Sequence, residues 1–246
     1  MLKKLYDKDQ VWFAVLFIII YVVGSSLADQ LSTKIGVEKS ITLLFCILLI
    51  IVLYNFIKKN KMMEEYGLCK VDYPISKWIF YIPFVVIASV NLWFGIKLNM
   101  TVMESVIYVA SMLLVGFLEE VIFRGLLFKA MSKSNVTAAI IVSSITFGMG
   151  HIVNLINGSG VRIASNLCQL VYATAIGFLF VTAFYFTKSL WPCIVTHSVV
   201  NALSAFANEP VASSYRLQVT LILTVIGVGY SLFLWKIAPK SQSKNT

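Results

Sequence analysis

SMLLVGFLEEVIFRGLLF, residues 111–128, sets two acids and a base, Glu119, Glu120 and Arg124, inside an otherwise apolar run. An ionisable side chain at the centre of a bilayer costs about 2.5–3.5 kcal/mol on insertion scales, so three together mark a buried working site. Glu120 and Arg124 stand four residues apart with the acid first, the order in which a helical pair attracts best. Glu119 then points about 100° away on the same helix. Two acids against one base leave a carboxyl without a partner in this segment, and such a group is placed to exchange protons. The competing reading of the trio is a structural ion-pair cluster between helices.

The chain around this run is 59% hydrophobic and 13% charged, with a mean hydropathy of +0.86. That composition describes a protein solvated mainly by lipid. A spanning helix needs about 20 mostly apolar residues. Stretches of that kind lie near residues 11–28, 40–57, 78–95, 102–123, 137–153, 166–187, 190–207 and 217–235. The expected fold is therefore all-α, a polytopic membrane helix bundle of about eight transmembrane helices, with residues 1–246 forming one integral membrane domain.

Basic residues in short loops stay cytoplasmic because they resist translocation. Lys3, Lys4, Lys8, Lys58, Lys59, Lys61, Lys70, Lys77, Arg124, Lys129, Lys133, Lys188, Lys236, Lys240 and Lys244 fall on one side of the expected bundle, against Lys34, Lys39, Lys97, Arg162 and Arg216 on the other. Both termini are thus expected in the cytoplasm. Trp12, Trp78, Trp191 and Trp235 fall at the same ends as the lysines, as interfacial indoles do. The +9 charge is spread over loops with no aromatic platform among them, which suits anionic lipid headgroups and not nucleic acid. Asp7 and Asp9 spoil the basic region a signal peptide would need, so the first apolar segment is expected to be retained. Cys46, Cys69, Cys168 and Cys193 show neither C-x-x-C spacing nor a disulfide framework. Residues 154–165, NLINGSGVRIAS, read as a non-cytoplasmic loop.

The chain has two histidines, each in another apolar run. His151 ends ITFGMGH, one turn after Phe147, with Gly148 and Gly150 leaving room for a close approach. His197 is followed by Asn201 on the same helix face, in a helix that Pro192 helps to start. An amide and an imidazole on one stripe serve either as interhelical glue or as donors aimed at a developing oxyanion. Counted from the expected cytoplasmic ends at 1.5 Å per residue, His197 lies ~10 Å deep, Glu119 ~10–18 Å and His151 ~20 Å. One shared cavity opening toward the cytoplasm is the expectation, ringed by the spans near 102–123, 137–153 and 190–207. The first three spans are expected to pack outside it or shape a lateral entrance. Glu104 lies too far along its helix to join.

EEVIFR at 119–124, FGMGH at 147–151 and HSVVN at 197–201 resemble the E-E-x-x-x-R, F-x-x-x-H and H-x-x-x-N motifs of the CAAX protease and bacteriocin-processing family, also called CPBP or Abi. That family comprises polytopic intramembrane endopeptidases, related to the type II CAAX prenyl endopeptidases, together with bacteriocin-maturation and immunity proteins. The resemblance covers roughly residues 110–207 and places the catalytic core at about 102–207. It implies that Glu119 and His151 activate a water, with Glu119 as general base. It further implies that Glu120 and Arg124 support the site, and that His197 and Asn201 stabilise the tetrahedral oxyanion.

No cofactor is required by this reading. The family has been described both as metalloproteases and as glutamate-dependent, and the H-E-x-x-H zinc clip is missing; the alternative is zinc held by His151, His197 and Glu120 as a two-histidine, one-glutamate site. The expected partners are membrane lipid and a peptide or membrane-protein substrate. Seventeen lysines against three arginines suit an AT-rich bacterial genome, so the expected location is a bacterial plasma membrane. Maturation of signalling peptides or bacteriocins, or self-immunity, then fits better than prenyl-protein processing. Two other classes stay open: a non-proteolytic immunity or interaction protein that shields against a peptide toxin, and a proton-coupled carrier.

Overall fold

Helix boundaries are set by local chemistry that the sequence carries at each end. The first helix, α1, is Leu2–Lys8. Asp9 accepts from the amides of Val11 and Trp12 and so starts α2, Gln10–Ile35, which Gly36 ends in the left-handed conformation at φ 82°. Next come α3, Ser40–Lys59, and the short α4, Ile82–Ala88. Thr101 and Glu104 form a reciprocal capping box at the start of α5, Val102–Glu119. That helix runs on as a π-helical stretch, Glu120–Phe128, into α6, Lys129–Ser132. Asn135 caps α7, Val136–Gly150. The chain closes with α8, Ile163–Thr187, α9, Trp191–Leu203, α10, Glu209–Ala212, and α11, Arg216–Ile237.

This computed structural model describes residues 2–71, 80–155 and 162–237. Among them no strand forms beyond a single bridge between Ile96 and Ala207. The fold is the all-α polytopic bundle expected. Among the described residues six helices are long and apolar enough to cross a membrane: Gln10–Ile35, Ser40–Lys59, Val102–Ser132, Val136–Leu155, Ile163–Thr187 and Glu209–Lys236. The other two expected stretches form shorter helices. In the stretch 78–95, residues 78 and 79 lie outside the described residues, and the remainder holds α4 and a 3-10 turn, Val90–Leu92. The stretch 190–207 gives α9, 13 residues with Pro192 in its first turn, extended by the 3-10 turn Ser204–Phe206. Thirteen residues rise about 20 Å, short of the roughly 30 Å hydrocarbon core. Of the expected loop at 154–165, residues 156–161 also lie outside the described residues, while Asn154 and Leu155 belong to a 3-10 turn, His151–Leu155, and Ile163 begins α8.

Packing brings α5 against α9 at the point where the site will stand. A Cβ on Gly116 would sit 2.6 Å from the backbone of Ser198, so the absence of a side chain is what lets these helices touch. Ser198 then donates to the carbonyl of Leu113 at 2.8 Å, fixing their register. On the other flank, Gly177 of α8 lets the backbone of Ser144 in α7 approach closely.

The two ends of the bundle differ in charge. At one end Lys133 bonds both Glu65 and Gln10, Tyr66 bonds Tyr6, and the amide of Leu190 bonds the carbonyl of Gly67. Burial beside that tyrosine partner pushes the Tyr66 phenol well above its ordinary range. Lys3, Lys4, Lys8, Lys58, Lys59, Lys61 and Lys188 sit at this end. Opposite lie the Lys39–Asp29 pair, Lys97 bonded through its amide to Phe206, and Arg216 beside Glu209. Arg124, counted with the loop cations in the orientation argument, is wholly buried within the bundle instead.

Candidate active site

Glu119 and Glu120 occupy the junction where α5 passes into the π-helical stretch. Wider turns of this kind are rare and recur at functional positions, because they re-aim side chains that a regular helix would disperse. The two carboxylates diverge, as neighbours on a helix do, yet both reach one imidazole. His197 of α9 places Nδ1 2.8 Å from Glu120 Oε1 and Nε2 3.2 Å from Glu119 Oε2. The two nitrogens of the ring face opposite ways, which matches two acids splayed on one helix.

Glu120 Oε1 also accepts from Arg124 Nη1 at 3.1 Å, and both residues are fully buried. The guanidinium lies over the Phe147 ring at 4.0 Å, with Phe180 at 5.8 Å, so its positive face is held by aromatic quadrupoles as well as by the acid. Phe147 stands edge-on to His197 and to His151, 5.5 Å from each.

Charge balance can be read from these contacts. Arg124 offsets one carboxylate, which leaves Glu119, His197 and a single proton to be shared between them if the buried cluster is to stay neutral. A charged remainder would be heavily penalised in this medium. The cluster is also incompletely bonded: Glu120 Oε2 and Arg124 Nε and Nη2 make no hydrogen bond among the described residues.

Glu119 differs from its neighbour in facing open space. With His151 and Asn201 it lines a cavity of about 490 Å³ that also takes in Tyr21, Tyr108, Asn154, Gln169 and Ser204. Glu120 and His197 lie behind that wall. His151 ends α7, and its carbonyl is fixed by the Asn166 amide at 2.7 Å. Asn201 follows His197 by one turn of α9 and accepts at its own carbonyl from Ser204. All six residues singled out in the sequence are therefore brought to one region by α5, α7 and α9. The pairing inside it differs from expectation: Glu119 is bonded to His197, and both His197 nitrogens are engaged by acids, leaving Asn201 as the expected oxyanion donor that lies on the cavity wall.

The same contacts bear on the zinc alternative. Glu120 spends one oxygen on both Arg124 and His197. Among the described residues no three or more His, Cys, Asp or Glu side chains are grouped so as to hold a metal ion. His151, His197 and Glu120 are thus not arranged as a ligand set.

Two further findings depart from expectation. The first span is part of the site, because Tyr21 of α2 donates to Glu119 Oε1 at 2.7 Å. Its signal in the sequence was a tyrosine deep in an apolar helix, where the hydroxyl must find a partner. The second concerns direction. The cavity is walled by Asp29, Lys39, Glu209 and Arg216, so it extends toward the lysine-poor end of the bundle, whereas the expectation had it open toward the lysine-rich end.

The segment holding these residues, 101–203, matches the family model described as type II CAAX prenyl endopeptidase Rce1-like. The chain is also 31% identical over 121 residues to "Putative membrane peptidase YdiL" of Bacillus subtilis (strain 168). That match covers 48% of this chain and 44% of the relative, so the chain spans less than half of that protein's length. The resemblance carried by the three motifs is borne out over the segment that contains them.

Proposed function

We propose that this chain is an intramembrane endopeptidase that hydrolyses a peptide bond of a membrane-associated protein or peptide. The observation that carries the reading is that, of the buried cluster, Glu119 alone faces the cavity, with His151 and Asn201 on the same walls. A water held between Glu119 and His151 would lose its proton to Glu119 as its oxygen attacks the carbonyl carbon. Asn201 would donate to the oxyanion that forms. Collapse breaks the C–N bond, and the proton on Glu119 passes to the leaving amine. His197, gripping Glu119 from behind and tied to Glu120 and Arg124, keeps the working carboxylate in place and its charge offset.

The match to a segment of an Rce1-like model and the resemblance to a relative named as a membrane peptidase support hydrolysis of a peptide bond. A bacterial plasma membrane remains the proposed location, with maturation of a bacteriocin or signalling peptide as the biological setting. The test is a membrane peptide profile of cells carrying the wild type against cells carrying Glu119→Gln. Fragments present with the wild type and replaced by an uncut precursor in the variant are expected; identical profiles, with equal amounts of both proteins in the membrane, would remove the peptidase reading.

Tyr21 enters this reading as a positioning residue. A hydrogen bond to a charged group is worth about 1.5–3 kcal/mol. Tyr21→Phe keeps the ring, deletes the donor and is expected to lower kcat at least about tenfold with KM little changed. A variant with unaltered kcat and reduced thermal stability would make Tyr21 a packing residue only.

A further inference from the structure

We propose that the cavity is entered from the extracytoplasmic side of the membrane, so that the peptide it accepts is an outward-facing segment of a membrane or secreted protein. The substrate half of this statement rests on the peptidase reading; the direction of access does not.

The direction is set by which half of each helix lines the cavity. From α2 it takes Tyr21 near the middle, then Ser25 and Asp29 in the half that ends toward Gly36; from α8 Gln169 and Tyr172 in the half that begins at Ile163, with Ile176 at the middle; from α11 the first turns after Arg216. All these halves meet at one end of the bundle, where Lys39 pairs with Asp29 at 2.8 Å and Arg216 with Glu209 at 3.9 Å. On α5 and its π-helical continuation the lining runs from Tyr108 through Glu119, midway along the span, to Phe123 and no further. No wall residue comes from the Lys58–Lys70 connection, from Lys129–Asn135 or from the turn at Lys188.

Those excluded segments carry the lysines. With Arg124 removed from the loop count because it is buried, the sequence still sets fourteen lysines against five basic residues, and the eleven of those lysines that are described lie on the side away from the cavity. Short loops with such a bias are held on the cytoplasmic side. Trp12, Trp191 and Trp235 join them at that end. The cavity and the cytoplasmic lysines therefore occupy opposite ends of the same bundle.

The walls indicate what enters. Near the outer end they present acids and bases of both signs together with the amides of Asn154, Gln169 and Asn201, and the interior carries Ile87, Met112, Val115 and Ile176. About 490 Å³ lies within the range of small-ligand sites. Such a space takes a short extended stretch of chain with backbone amides to satisfy, and it refuses a folded domain.

The experiment uses full-length protein in cells, with the half-buried Cys69 and Cys168 changed to serine and the buried Cys46 and Cys193 kept. Three single variants are compared: Ser204→Cys in the cavity wall, Lys97→Cys at the lysine-poor surface and Lys59→Cys at the lysine-rich surface. Each is treated with a membrane-impermeant cationic methanethiosulfonate, before and after permeabilisation, with labelling of the parent protein subtracted. Ser204→Cys and Lys97→Cys are expected to label in intact cells, and Lys59→Cys only once the membrane is opened. Ser204→Cys labelling only with Lys59→Cys, or not at all, would overturn outward access. Intact-cell labelling of Lys59→Cys would overturn the orientation. Because none of these readouts needs activity, the labelling pattern stands or falls apart from the peptidase reading. If the pattern holds and the Glu119→Gln profile identifies substrates, their cut sites are expected in outward-facing segments; cytoplasmic cut sites would overturn the substrate assignment.

Discussion

Glu119→Gln is expected to lower the rate of peptide cleavage by about 10²–10⁴-fold, the range that a positioned general base contributes, while the protein inserts and melts as the wild type does. The second half of that expectation comes from the contacts. Glutamine is nearly the same shape, and its amide oxygen can still accept from Tyr21, which bonds Glu119 Oε1 at 2.7 Å. Its NH2 group can donate to His197 Nε2, now 3.2 Å from Glu119 Oε2, if the imidazole is neutral and keeps its other proton for Glu120 at Nδ1. The cluster then holds one carboxylate and one guanidinium and remains neutral overall. What the variant lacks is a group that can take a proton from water. His197→Ala, by contrast, leaves two acids beside one base and is expected to lose both activity and stability. Kinetics on a cleaved peptide and thermal unfolding in detergent separate the two variants. Unaltered turnover in Glu119→Gln would end the general-base assignment, and a large loss of its melting temperature would show that the carboxylate has a structural role.

The bundle was legible because lipid imposes one rule on every segment: an apolar run must satisfy its backbone internally, and a helix does so. Six of the eight runs obey it at full length. At 190–207 composition alone was misleading about length, since the run is continuous but the helix within it is 13 residues long; apolar content reports depth in the membrane and not how far one helix carries across. The six candidate site residues were legible as charges, amides and imidazoles in the wrong solvent. Their pairing was not, because it depends on a π-helical stretch and on a glycine contact between α5 and α9, both tertiary features. Tyr21 was hidden among the aromatic residues of an ordinary span. The end of the bundle toward which the cavity extends was not legible, because depth counted from one face cannot say on which side of the buried residues the space lies.

Arg124→Met is expected to destabilise the protein by about 3–5 kcal/mol, the cost of breaking a buried ion pair by removing one partner. The guanidinium is fully buried, bonds Glu120 and stacks on Phe147, so the variant strands a carboxylate that His197 alone must offset. Arg124→Lys restores the charge without the flat guanidinium and is expected to recover only part of the loss, since an ammonium neither stacks on a ring nor forks toward an acid in the same way. Removing the acid as well tests the charge argument directly. In Glu120→Gln with Arg124→Met the cluster is neutral again, with one proton shared by Glu119 and His197, and the double variant is expected to be more stable than Arg124→Met alone. A double-mutant cycle by thermal unfolding in detergent should then return a coupling of about 0.5–3 kcal/mol, as residues in one network do. Additive losses would mean that Arg124 stabilises the fold through its contact with Phe147 and not through the acid it faces.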